Sequence, residues 1–294
     1  MHERSGILFS MNRLSIEQRA QILGMLVEGN SLRATSRMAG VSINTVSKLL
    51  VDVGAACTAY QDEVLRDLPC KTIQADEIWS FVYAKAKNVP DEHKGNPGYG
   101  DVWTWTAICA DSKLAVSWLV GERNMHDCYT FIQDLRDRVR GRIQLSTDGH
   151  ATYRGVVGLI FSGEIDWAQL HKHYSTERIA PGRYSPPICT GTSVTRRMGN
   201  PDPSKVSTSY VERQNLTMRM GMRRFTRLTN AFSKKVENHA AAVAIHFMHY
   251  NFARPHTSLL LASEHGPAIK QTPAMAAGVA DHVWTLEEIV ELSN

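Results

Sequence analysis

The stretch Thr72-Ile73-Gln74-Ala75-Asp76-Glu77-Ile78-Trp79-Ser80-Phe81-Val82-Tyr83 decides how this chain is read. Its β-branched and aromatic residues, with no proline or glycine, mark a strand. An aspartate in such a strand invites a search for partners. Downstream, 102–110 and 114–120 have the same strand-like composition, so three consecutive strands predict an antiparallel meander. Between the first two, 88–100 holds Pro90, Pro97 and three glycines and reads as a loop or hairpin tip. Helical spacing then predicts a helix over 125–139, followed by a strand over 142–147, a helix over 151–161 and a short strand over 165–170. The order is mixed α/β. Residues 171–207 lack clear periodicity and read as a long functional loop, and two helical patterns, 209–228 and 233–252, close the unit.

The later strand ends in Ser146-Thr147-Asp148-Gly149-His150. If it pairs beside the first strand, Asp76 and Asp148 project together, and hard oxygen ligands of this kind suit Mg²⁺ or Mn²⁺. Glu77 is expected on the opposite face from Asp76. Glu212 supplies a third acid, in the first turn of a helix whose apolar stripe is Val211, Met218, Met222 and Phe225. At about 100° per residue, Arg219 and Arg223 fall within roughly 20° of Glu212. From Arg213 to Lys235 there are seven basic residues, Arg224 and Arg227 among them, and no acidic one. That run would present positive charge to a polyanion. His171, His173 and Cys189 lack a convincingly spaced fourth ligand for zinc and read as polar loop residues. Trp103 and Trp105 read as core, and His150 as a phosphate contact or a cap.

Upstream, Ser15, Ser31 and Ser42 can cap three helices, over 14–27, 32–38 and from Ile43 onward, with Gly40 breaking the second from the third. The string Ala34-x4-Ala39-Gly40-Val41-Ser42-x2-Thr45-Val46-x2-Leu49 resembles helix-turn-helix DNA-binding domains. Burying the apolar face of the third helix leaves Asn44, Thr45, Ser47 and Lys48 pointing outward, side chains suited to base edges and phosphates.

Composition bounds the reading. The 294 residues are 43% hydrophobic and 21% charged, which excludes a disordered, collagenous or disulfide-scaffold chain. Five scattered cysteines with no Cys-x-x-Cys spacing imply a reducing compartment. No apolar run is long enough for a membrane span or a secretory signal, so a cytoplasmic location is expected. The net charge of +4 is only mildly basic.

With these residues in view, the chain resembles the DDE transposases of bacterial insertion sequences, most closely the IS1 family. The strings carrying the resemblance are Ala75-Asp76-Glu77-Ile78-Trp79-Ser80-Phe81-Val82, Thr147-Asp148-Gly149, Val211-Glu212-Arg213-Gln214-Asn215-Leu216-Thr217-Met218-Arg219 and Phe232-Ser233-Lys234-Lys235-Val236-Glu237-x-His239. A further stretch, 249–259, looks like the end of the catalytic core in related transposases and integrases. The resemblance implies an RNase H-like catalytic domain with Asp76, Asp148 and Glu212 as the catalytic and metal-binding triad, Asn215 and Asn251 as auxiliary residues, and Mg²⁺ or Mn²⁺ as cofactor. It also implies a DNA transposase that binds its element's ends, cuts and joins strands, and works as a homodimer or larger assembly. The acids stand 72 and 64 residues apart, wider at the second interval than in many retroviral-type integrases; the proline-rich loop would account for the excess. Glu177 is the competing third acid by spacing alone, in a stretch without helical periodicity.

The expected organisation is a helix-turn-helix domain over 1–55, a linker helix over 56–69, a catalytic domain over 70–260 with a loop insertion at about 171–207, and a C-terminal tail over 261–294. Arg213, Arg219, Arg223 and Arg224 are the expected DNA contacts of the basic helix. The alternative function is a non-catalytic helix-turn-helix regulator derived from a transposase.

Overall fold

The computed structural model describes residues 14–175, 188–226, 230–262 and 267–294. Glu177, Arg227 and residues 1–13 lie outside them. Six strands form one mixed sheet: β1 (Thr72–Val82), β2 (Gly100–Cys109), β3 (Ala115–Gly121), β4 (Ile143–Thr147), β5 (Ile165–Tyr174) and β6 (Cys189–Met198). Their order across the sheet is β3-β2-β1-β4-β5-β6. The first three form the expected antiparallel meander, β4 and β5 run parallel to β1, and β6 returns antiparallel to β5.

Three helices precede the sheet, α1 (Ile16–Val27), α2 (Leu32–Ala39) and α3 (Ile43–Val64). Ser15, Ser31 and Ser42 each accept a backbone N–H at the helix starts, and Gly40 ends α2 at φ 66°. A side chain there would have to adopt the left-handed conformation that glycine reaches freely. On one face of the sheet lie α4 (Met125–Arg138) and α5 (Thr152–Phe161); Trp105, fully buried, packs against the tilted ring of Phe131 at 5.8 Å and edge-on to Tyr153 at 5.7 Å. Against the other face lie α6 (Ser209–Gly221) and α7 (Val236–Met248), where Trp118 stacks on Phe247 at 4.8 Å. This is a layered mixed α/β fold.

Four features differ from the sequence reading. First, the expected linker helix is the continuation of α3, which runs unbroken for 22 residues. Its second half packs on α7 so closely that a Cβ on Gly54 would lie 2.5 Å from the Ala241 Cβ. The N-terminal helices therefore share one continuous apolar core with the sheet and its helices. Second, among the described residues of the expected loop, 171–174 continue β5 and 189–198 form β6, the two strands pairing from Trp167 to Tyr174. Their outer residues are exposed, so no apolar alternation betrays them. Third, the helix expected over 209–228 stops at Gly221, and Arg223–Phe225 form a separate 3-10 turn. The break falls where the Gly221 carbonyl passes within 3.0 Å of the place a Cβ on Gly29 would occupy.

Fourth, the C-terminal segment does not trail away. Two short helices follow, α8 (Pro273–Ala276) and α9 (Leu286–Glu291), and α9 packs on α1. Arg19 ties the two ends together, donating to the Val290 carbonyl at 3.0 Å and to Asn294 Oδ1 at 2.6 Å. No helix among the described residues is long and apolar enough to cross a membrane.

Candidate active site

Strands β1 and β4 pair over only four positions, from Thr72↔Gln144 to Ala75↔Thr147. Beyond that last pair they part. The gap opens at the carboxyl ends of parallel strands, where open α/β sheets offer a ligand crevice. Asp76 follows on β1 and Asp148 follows the last residue of β4, and the shared register delivers both carboxylates to the mouth of the gap.

Glu77 does leave β1 on the opposite face from Asp76, and its side chain is fully buried. Yet its carboxylate joins the other two: ligand oxygens of Asp76, Glu77 and Asp148 all lie within 4.8 Å of one another. Asp148 stands just past the end of β4, outside the sheet's layer, so side chains from both faces of β1 reach it. Alternation along one strand cannot reveal this.

One guanidinium meets two of the three acids. Arg123, between β3 and α4, approaches Glu77 Oε2 at 2.9 Å and Asp148 Oδ2 at 3.5 Å, with its guanidinium 4.7 Å over the Trp103 ring. It is insufficient compensation. Burial, then the charges of Asp148 and Glu212, push the Asp76 carboxyl up to about 7; burial and the Asp148 charge push Glu77 to about 7 as well. Asn215 donates to Asp76 Oδ2 at 2.9 Å from α6, and the His150 backbone N–H donates to Asp148 Oδ1 at 2.9 Å.

Glu212 enters from the far wall of the same cleft, which measures about 580 Å³ and also receives Arg123, His171 and Lys172. Its Oε1 accepts from Thr208 Oγ1 at 2.5 Å and its Oε2 is paired with the Lys172 ammonium. Glu212 thus faces the acid cluster without belonging to it. His171 lies flat against Gly149: a Cβ there would sit 2.5 Å from its Nδ1. Burial and the Arg123 charge hold the His150 ring below the usual imidazole range.

Sequence reasoning missed Glu77, Arg123, Lys172 and His171 as residues of this cleft. Arg123 follows a strand and Lys172 lies in a stretch without periodicity, so neither carried a local signal. Other expected site residues lie elsewhere. Asn251 is fully buried behind β3, exchanging hydrogen bonds with the Ala115 N–H at 2.9 Å and carbonyl at 3.0 Å, a structural duty, and does not line the acid cleft. Because α6 ends at Gly221, Arg223 does not share a helical face with Glu212, whereas Arg219 does. Arg224 bonds the Ser233 hydroxyl at 2.9 Å and the Asn238 carbonyl at 2.7 Å, an internal brace between chain segments. Arg213 points along another flank of α6. On α3, Asn44 and Lys48 are exposed and Thr45 and Ser47 half-buried; Lys48 pairs with Asp52, and Ser47 accepts from Asn238 at 3.2 Å. His173 contacts Ser193 at 2.9 Å, and among the described residues no His/Cys cluster forms around it or Cys189.

The donor set fits a hard divalent cation. Three carboxylates converge, two of them held near neutrality by burial and mutual repulsion, and a cation of charge +2 would relieve that repulsion directly.

No protein-family model matches the chain, and no curated protein matches it. Among solved structures it overlaps in part with the Mos1 strand transfer complex (TM-score 0.23, 13% identity, 57% of this chain and 60% of that one). It overlaps similarly with a pre-cleavage Mos1 transpososome (TM-score 0.23, 10% identity, 57% and 61%) and with the Mos1 mariner paired end complex with Mn (TM-score 0.21, 10% identity, 54% and 59%). The chain thus spans about three fifths of the structures it overlaps.

Proposed function

We propose that this chain is a DNA strand-cutting and strand-joining enzyme of the DDE transposase kind, built on an RNase H-like sheet and most similar in its motifs to the IS1 family. One observation carries the reading: Asp76 and Asp148 meet at the parting of two parallel strands, with Glu212 facing them from a helix that opens a basic segment. Asp76 and Asp148, with Glu77 beside them, would hold Mg²⁺ or Mn²⁺, and Glu212 would close the site from α6. When bound, such ions supply stabilisation of the attacking and leaving oxygens of an in-line displacement at phosphorus.

The remaining work falls to the chain. Arg123 orients Glu77 and Asp148 and, stacked on Trp103, keeps its charge at the cleft mouth. Lys172 holds the Glu212 carboxylate in place and brings a cation to the cleft wall where a phosphodiester would lie. Asn215 fixes the orientation of Asp76 through its amide N–H. Arg219, on the Glu212 side of α6, adds positive charge beside the acids. On this reading α2 and α3 form the element-end reader, with Asn44 and Thr45 toward bases and Lys48 toward phosphate, and two copies would hold two ends together.

The test is incubation of the purified chain with labelled candidate element ends and Mg²⁺, following nicking and joining. Metal-dependent nicking that disappears in Asp148→Asn and Glu212→Gln, with duplex binding retained, is the expected result. Binding to the ends with no nicking under any divalent ion would favour the non-catalytic regulator instead.

A further inference from the structure

Helix α6 presents a different chemistry on its other flank. Tyr210, Arg213, Gln214 and Thr217 recur at i, i+3, i+4 and i+7, a single helical face turned away from Glu212. That face borders a separate cleft of about 310 Å³, closed by Lys113 from the turn before β3 and by the segment 254–258 after α7. Its lining contains no aspartate or glutamate.

Three cations converge on it. Lys113 lies 4.1 Å over the Tyr210 ring, and the carbonyl of the same lysine accepts from Tyr250 Oη at 2.8 Å, so both tyrosines hold this corner in place. Arg213 and Arg254 flank the opening, and neither guanidinium is paired with a carboxylate among the described residues. His256, bonded through Nδ1 to Ser258 Oγ at 3.0 Å, completes the wall. Burial and the Lys113 and Arg254 charges hold its ring below the usual imidazole range, a sign of the positive potential inside the cleft. Cations gathered around hydroxyls, without a counter-charge, match a tetrahedral oxyanion.

We propose that this cleft is a second phosphate site, on the flank of α6 opposite the acid cluster, that grips a backbone phosphodiester of the bound DNA through Arg213, Arg254 and Lys113. The assignment to DNA rests on the proposed function; the phosphate chemistry does not. A duplex held here and at the acid cluster would straddle α6, which sets Glu212 against the strand to be cut.

The test compares the full-length chain with Arg213→Gln/Arg254→Gln and with the charge-conserving Arg213→Lys/Arg254→Lys, each checked for an unchanged melting temperature. Anisotropy with a labelled duplex between 50 and 200 mM salt should show about ten-fold weaker binding at low salt for the glutamine pair, and a salt slope shallower by about 2. The lysine pair should keep the slope. In parallel, titration with inorganic phosphate should shift the His256 ring resonances saturably in the wild type and not in the glutamine pair. A phosphate shift with unchanged duplex affinity and slope would overturn the DNA assignment in favour of free phosphate. Neither response, in a wild type that still binds and nicks DNA, would overturn this site alone. Absence of duplex binding by the wild type would overturn both this site and the proposed function.

Discussion

Two clusters of charge lie towards the two ends of helix α4, and they are built on opposite terms. Around Arg138, whose side chain is 8% exposed, the guanidinium meets Asp134 at 2.7 Å, Asp62 at 2.8 Å and the Gln61 carbonyl at 3.1 Å. Each carboxylate has a further donor, Ser117 for Asp134 and Arg66 for Asp62. Two cations and two anions share these hydrogen bonds, and the cluster joins α3 to α4. In the cleft the balance differs: Asp76, Glu77 and Asp148 lie within 4.8 Å of one another, and a single guanidinium, that of Arg123, meets Glu77 and Asp148. The first arrangement satisfies its charges and serves the fold. The second leaves repulsion standing, which is how a site is kept ready for a cation the chain does not itself supply.

The largest expected difference lies in activity. Asp148→Asn should lower single-turnover nicking roughly 1,000-fold, about 4 kcal/mol in the barrier, while leaving the metal-free melting temperature equal or higher, because it removes a repelling charge. A variant that nicks normally, or that unfolds, would break the contrast. Arg138→Met should do the reverse, destabilising the fold by about 2 kcal/mol in urea titrations by removing the buried guanidinium's bonds to Asp134 and the Gln61 carbonyl, while Asp62 keeps Arg66. A loss below about 1 kcal/mol would show that this cluster is not the structural one.

A smaller effect follows from pH. Asp76 and Glu77 are raised to about 7, above their unfolded values, so the stability they contribute is full at low pH and lost as pH rises through 7. A divalent ion binds the ionised cluster, so Mg²⁺ should raise the melting temperature by about 2–4 °C more at pH 8 than at pH 6.5. The buried His239 and His246, both lowered to about 3, act in the opposite window: they oppose folding as pH falls below about 6.5 and are silent above 7. An equal Mg²⁺ shift at both pH values would argue that the acids are ionised throughout. The smallest effect is steric. Gly149→Ala puts a Cβ 2.5 Å from the His171 ring and should destabilise by about 1 kcal/mol without altering the charge balance; no measurable change would mean His171 swings aside freely.

What was legible in the sequence was what local chemistry encodes. The caps at Ser15, Ser31 and Ser42, the stop at Gly40, the antiparallel meander and the placement of Asp76 within a strand and Asp148 at the end of another all follow from propensity, alternation and turn residues within a few positions. Periodicity also identified the apolar stripe of α6 through Val211 and Met218. Beyond a few residues that code goes silent. Alternation put Glu77 on the far face of β1, correctly, but only the early divergence of β4 lets Asp148 reach it from the end of the sheet. Residues 189–198 form a strand because β5 offers an edge, although both of their faces meet solvent and leave no pattern.

The same limit governs the basic residues, which look equivalent along the chain and are not. Gly221 ends α6 against Gly29, separating Arg223 from Glu212; Arg224 turns inward to brace Ser233 and Asn238; Arg213 lines a different cleft from Glu212. A sequence by itself determines which side chains can carry charge and which local elements form, because those depend on neighbours a turn or two away. Which charges stand together is decided by strand pairing and helix docking, since Arg123 and Lys172 reach the acids only when segments far apart in the chain are laid side by side.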